Sequence, residues 1–143
     1  MIKQFSKENR WLSNFSPATI VHEGITYPSV EHFYVAMKSA DIEIREQIAK
    51  LETAGQAKRI GREIEVTAGL PPNWYEDKLV HMRFALEQKY NQEPYKQQLI
   101  DTGGQTIIEG NTWGDEFWGV NLRTDEGKNN LGIMIMEIRD ELK

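Results

Sequence analysis

At 143 residues, with 39% hydrophobic and 27% charged residues, the chain has the size and composition of one globular domain that buries its core without a covalent staple. It has no cysteine, which excludes disulfides, thiolate metal ligands and a cysteine nucleophile. A net charge of −5 with no basic stripe argues against a tight, sequence-independent binder of duplex nucleic acid.

The amino-terminal stretch MIKQFSKENRW lacks the apolar run of a signal peptide, and no segment reaches membrane-spanning length. A cytoplasmic chain with no membrane association is the expectation. The first 28 residues read as irregular or short extended structure. Within them Thr19-Ile20-Val21 and Ile25-Thr26-Tyr27 flank a His22-Glu23-Gly24 turn, which predicts a hairpin ended by Pro28. Ser29 is placed to cap a helix from Val30, whose inward stripe is Val30, Phe33, Tyr34 and Met37.

A second helix is expected from about Asp41 to Lys50, with Ile44, Ile48 and Leu51 inward. A third follows Thr53 and carries Ala57, Ile60 and Ile64 at helical spacing. After the loop Gly69-Leu70-Pro71-Pro72-Asn73, a fourth helix presents Tyr75, Leu79, Met82, Leu86 and Tyr90. A short helix from Tyr95 to Asp101 stops at Thr102-Gly103-Gly104. Thr106 to Glu109 reads as a buried strand, 110–129 as loop, and the chain closes on a helix with Leu131, Met134, Ile135, Ile138 and Leu142 inward. The class is helix-rich α+β, a single domain over 1–143 with a few short strands. No βαβ alternation supports a Rossmann fold.

Three segments join aromatics to polar groups in or beside loops: Trp11 to Phe15, Ser29 to Lys38, and Glu109 to Asn121. That is the composition of a site that stacks a planar ligand. Glu31 and Lys38, seven residues apart, share a helix flank with Cα atoms roughly 10 Å apart. The Lys38 side chain leans back toward the amino end, so its amine can approach Glu31 or a ligand between them. A solvated charge pair fits the same spacing.

His32 faces away and reads as structural or surface. Glu109 leaves an apolar strand just before Asp115 and Trp118; it suits either a functional carboxylate or a cap or arginine partner. Gly110, Gly114 and Gly119 shape turns or let backbone approach a ligand. Lys58, Arg59 and Arg62 suit either a phosphate site, with Arg62 as the candidate, or a solvated helix face. Walker, G-x-G-x-x-G, H-E-x-x-H and G-x-S-x-G motifs are all missing, and His22, His32 and His81 lack metal-ligand spacing. No cofactor is expected.

Taken together, these residues resemble one family. Leu12-Ser13-Asn14-Phe15, Ser29-Val30-Glu31-His32-Phe33-Tyr34 with Lys38, Ala57 with Gly61-Arg62, and Asn73-Trp74 carry the first half of the likeness. His81-Met82-Arg83, Lys89-Tyr90, Leu99 with Thr102-Gly103, Ile108-Glu109, Asp115 and Trp118-Gly119 continue it, through Gly127, Asn130-Leu131-Gly132, Met136 and Arg139. The pattern is similar to the YbiA-like, or NADAR, family, and it covers nearly the whole chain in order. The resemblance implies an N-glycosidase. One branch of the family cleaves ribosylamino-pyrimidine phosphate intermediates of riboflavin biosynthesis, and another removes ADP-ribose from modified guanine, including guanine in DNA.

The resemblance also implies a pocket with Glu31, Lys38 and Asp115 as catalytic candidates. Glu109, Trp118 and Gly119 would bind substrate, with Asn14 and Phe15 contributing. The chain departs from some relatives over Trp113 to Thr124, where others are richer in glycine. Cleaving a base–ribose bond needs relief of cationic charge at the anomeric carbon and a proton for the leaving base. Lys38 as a Schiff-base nucleophile, with Glu31 shuttling protons, is the favoured expectation. Direct hydrolysis led by Glu31 and Asp115 is the alternative, and a non-catalytic ADP-ribose-binding module is the rival from another class.

Overall fold

The computed structural model describes residues 1–142 and is helix-rich α+β, as the periodicity predicts. The chain forms two compact units: one combines Met1–Ser13 with Tyr90–Lys143, and the other is Asn14–Lys89.

The Asn14–Lys89 unit opens with an antiparallel hairpin of β1 (Pro17–His22) and β2 (Ile25–Ser29), pairing Ile20 with Tyr27 and His22 with Ile25. Both strands outrun the prediction, and Pro28 lies inside β2 rather than ending it. A two-stranded sheet leaves each strand an outer edge, where the missing N–H of a proline costs no ladder bond. The Gly24 turn has positive φ at both Glu23 (49°) and Gly24 (80°).

Helix α1 (Val30–Ala36) follows directly, capped by the Ser29 hydroxyl, which accepts from the His32 N–H at 3.1 Å. The ring of His32 is buried, 2.6 Å from Ser29 Oγ and 3.0 Å from the Leu51 carbonyl, so it ties α1 to the segment after the next helix. Asp41 caps α2 (Ile42–Ala49) through the Glu43 N–H. A reciprocal box between Thr53 and Gln56 starts α3 (Ala54–Thr67). Helix α4 (Trp74–Lys89) completes the unit, and α1 packs on α2, α3, α4 and the hairpin. Val30, Phe33, Val35, Ala36, Ile20, Tyr27 and Leu86 are its fully buried core.

The stripe of α4 is rotated from the expected one. Tyr75 is 75% exposed, while Trp74, Lys78, Met82, Ala85, Leu86 and Lys89 face inward. Two lysines stand in positions that an apolar pattern skips. Lys89 is fully buried and its Nζ donates to Ser16 Oγ at 2.9 Å; burial lowers its pKa from 10.5 to about 7. Between those two values the unfolded chain holds a proton that the folded chain lacks, so stability must rise with pH. The expected slope from this group is about 1.4 kcal/mol per pH unit between pH 7 and 9. Urea unfolding of Lys89→Met across that range should lack the rise.

The other unit holds a 3₁₀ turn at Lys7–Leu12, where irregular structure is expected, then α5 (Tyr95–Asp101) and α6 (Asn130–Glu141). Gly103, at φ 60°, follows the α5 cap as expected. The strand expected over Thr106 to Glu109 is not continuous. Ile107 makes an isolated parallel bridge with Ile2, and the pairing moves on to β3 (Gly110–Asn111) against β4 (Val120–Asn121). Thr106, Ile108 and Gly110 bond the backbone of Ile2 and Lys3 on one edge; on the other, the Asn129 side chain accepts from the Glu109 N–H at 3.0 Å and donates to the Ile107 carbonyl at 3.0 Å. A side chain thereby takes the place of a neighbouring strand. Leu131, Ile135, Ile138, Leu99 and Ile107 form this unit's core, and buried Arg139 donates to Thr102 Oγ1 and the Gln105 carbonyl.

Candidate active site

The Asn14–Lys89 unit concentrates its charges where α1 meets α3. Helix α1 is shorter than the sequence reading assumed. It ends at Ala36, and Lys38 lies just past the cap with its N–H on the Val35 carbonyl at 3.0 Å. The Lys38 ammonium stands 3.5 Å from Glu65 Oε2 and 5.5 Å from the centre of the Tyr34 ring. Only 12% of its side chain is exposed.

Gly61 makes this position possible. A Cβ there would stand 3.1 Å from a Val35 methyl and 3.3 Å from Lys38 Nζ, so a larger residue would press on the amine. The contact is matched in register: Val35 of α1 and Lys38 just beyond it meet Gly61 and Glu65 of α3.

Glu31 is half-buried at the other end of α1, its N–H donating to the Asn14 carbonyl at 3.2 Å. Burial raises the Glu31 carboxyl above its usual range, and the nearby ammonium groups of Lys38 and Lys58 partly counter this. Asn14 donates weakly to Met82 sulfur at 3.6 Å, while its Oδ1 is buried without a hydrogen-bond partner among the described residues. Phe15 is 39% exposed, with the Lys58 ammonium 5.9 Å from its ring centre. Arg62 is exposed on the same helix.

This unit therefore brings Glu31, Lys38 and the Asn14-Phe15 segment together, and it adds Tyr34, Lys58, Gly61 and Glu65. Lys58, Gly61 and Glu65 fall at i, i+3 and i+7, a helical face that the search for apolar stripes passes over.

In the other unit, Asp115 and Glu109 hold the turn that presents Trp118. One Asp115 oxygen accepts from the N–H groups of Phe117 (3.1 Å) and Trp118 (3.0 Å). Buried Asn111 donates to Glu109 Oε2 at 3.1 Å and to the Asp115 carbonyl at 2.8 Å, and its Oδ1 accepts from the Asp115 N–H at 3.0 Å. Gly119 packs so tightly that a Cβ would collide with the Glu109 carboxylate and carbonyl and with the Asn111 amide. Trp118 is half-buried, edge-on to Phe117 with ring centres 4.8 Å apart. Asn111 and Asn129, absent from the sequence-based candidates, are the two side chains on which this loop hangs.

That bonding makes a test possible. Asp115→Asn retains an oxygen to accept from the two amides. A loop-holding Asp115 then predicts kcat within about three-fold of wild type for Asn. Alanine should lose about 1 kcal/mol of stability with the lost side-chain hydrogen bonds. If Asp115 acts through its charge, Asn should lower kcat by about 10²-fold or more.

Comparison with known proteins matches the chain to one family. The NADAR domain profile matches residues 2–143. The N-glycosidase YbiA of Escherichia coli is 34% identical over 131 residues, covering 91% of this chain and 79% of the relative. The NMR structure of that E. coli protein superposes with a TM-score of 0.83 at 31% identity, over 99% of this chain and 86% of its own. A riboflavin biosynthesis protein of Vibrio vulnificus is 35% identical over 134 residues; the match covers 93% of this chain but only 35% of that longer protein. With a profile spanning the chain and a relative of similar length that shares its fold, this chain belongs to the NADAR family.

Proposed function

We propose that this NADAR protein is an N-glycosidase that hydrolyses the bond between ribose and a nitrogenous base, with Lys38 as nucleophile and Glu31 as proton carrier. The observation that carries the reading is a half-buried acid of raised pKa within the electrostatic reach of a mostly buried lysine amine, which Glu65 holds at the α1–α3 contact. Relatives of comparable length bear the name N-glycosidase, including the E. coli protein and one from Nostoc punctiforme that is 33% identical over 135 residues.

The chemistry follows from the charges. Lysine attacks only as the neutral amine, and the departing base must gain a proton. Moving one proton from Lys38 to Glu31 prepares both groups at once. Each unit by which burial raises the Glu31 pKa makes that transfer cheaper by about 1.4 kcal/mol. The amine then bonds to the anomeric carbon as the carbon–nitrogen bond to the base breaks. The bonding pair goes to the base, which takes the proton from Glu31. Opening of the ribose ring converts the adduct to a Schiff base; water adds at the same carbon, releasing the sugar and restoring Lys38.

The direct-hydrolysis alternative would need Asp115 to align water. The two loop amides already bound to Asp115 favour Lys38 instead. Ribosylamino-pyrimidine phosphates and ADP-ribosylated guanine, free or in DNA, are the proposed substrate classes. The test is mass-spectrometric detection of released base from each class. Release from at least one supports the reading, and binding of all three with release from none would replace it with a non-catalytic nucleotide-binding module.

A further inference from the structure

We infer that Lys58 is the residue that recognises a phosphate on the ribose of the substrate, and so sets the preference for phosphorylated over plain N-ribosyl compounds. This rests on the assignment of Glu31 and Lys38 above and extends it to the far end of the sugar.

Three observations carry it. Lys58 is the α3 cation whose charge reaches Glu31, whereas Arg62, the residue favoured from sequence, is exposed without such coupling to that acid. Its ammonium lies 5.9 Å from the centre of the Phe15 ring, an aromatic left 39% exposed. No carboxylate forms an ion pair with it among the described residues, in contrast to Lys38, which Glu65 holds at 3.5 Å.

Lys58 precedes Gly61, the notch under Lys38, by three residues of α3, roughly 4.5 Å of axial rise. The anomeric carbon and O5′ stand at opposite ends of a ribose ring. A ribose with its anomeric carbon at Lys38 and its ring laid along α3 toward the amino end brings its O5′ phosphate to Lys58. A chain of net charge −5 also repels anions overall, so a local unpaired ammonium is the group that must offset this.

The experiment compares kcat/KM for two N-ribosyl substrates that differ only in the O5′ phosphate, using wild type, Lys58→Met and Lys58→Arg. Lys58→Met is expected to lower the preference for the phosphorylated substrate at least about ten-fold, the scale of one lost charge-assisted bond. Lys58→Arg should recover most of it. A preference unchanged within two-fold in Lys58→Met would overturn the assignment. An ADP-ribosyl substrate forms the third arm: a parallel loss there assigns Lys58 to either kind of phosphate, and a loss confined to the monoester assigns it to the terminal dianion. Borohydride capture of the sugar on Lys38, run on the same samples, reports the covalent step independently of Lys58.

Discussion

Replacing Lys38 with alanine is expected to lower kcat by at least about 10³-fold on whichever N-ribosyl substrate the wild type turns over, with KM changed far less. The amine is the bond-forming group, and no neighbouring side chain can take its place. Lys58 lies on the same face of α3, one turn before Gly61, and its charge acts on Glu31 rather than replacing the amine. Lys38→Arg should be as inactive as alanine. It preserves a cation near Glu65, but a guanidinium does not form a Schiff base at neutral pH. Activity rescued by arginine would mean that the residue works only as a charge.

Glu31→Gln is expected to lower kcat by about 10²–10⁴-fold, because the amide can neither take the proton from Lys38 nor give one to the leaving base. Its effect on stability should have the opposite sign. Burial raises the Glu31 pKa in the folded protein, so the folded chain holds this proton more tightly than the unfolded one. The stabilising difference is present at acidic pH and is lost as pH rises through the folded value. Above the folded value, burial of the charged carboxylate is therefore a cost that glutamine removes. Thermal unfolding at pH 7.5 should give a Tm for Glu31→Gln no lower than that of wild type. A lower Tm together with intact turnover would mark Glu31 as a structural ion-pair member instead.

The helical frame was legible from periodicity and caps. Ser29, Asp41 and Thr53 sit where hydroxyl or carboxylate caps are needed, and each starts its helix. Pattern reading failed where a polar side chain does the work of an apolar or backbone group. On α4, Lys78 and Lys89 take inward positions, which turns the true stripe away from Tyr75. At Ile107 to Glu109, Asn129 takes the place of a partner strand on the edge away from Ile2 and Lys3.

The candidate site was legible to the extent that its residues lie close in sequence. Glu31 lies in the first turn of one short helix and Lys38 just past its cap, seven residues on, so their spacing is read directly from the sequence. Gly61, Lys58 and Glu65 could be joined to them only through the parallel register of α1 and α3, which no local pattern encodes. Asp115 is a catalytic candidate through the family resemblance rather than through any local pattern. The two amides bound to one of its oxygens tie it to the turn that presents Trp118.

The most direct measurement is peptide mass mapping after sodium borohydride is added during turnover. A reduced sugar covalently attached to the Lys38 peptide, missing in Lys38→Ala, is the predicted result. Full base release with no adduct on any lysine, and an alanine variant that still turns over, would contradict it.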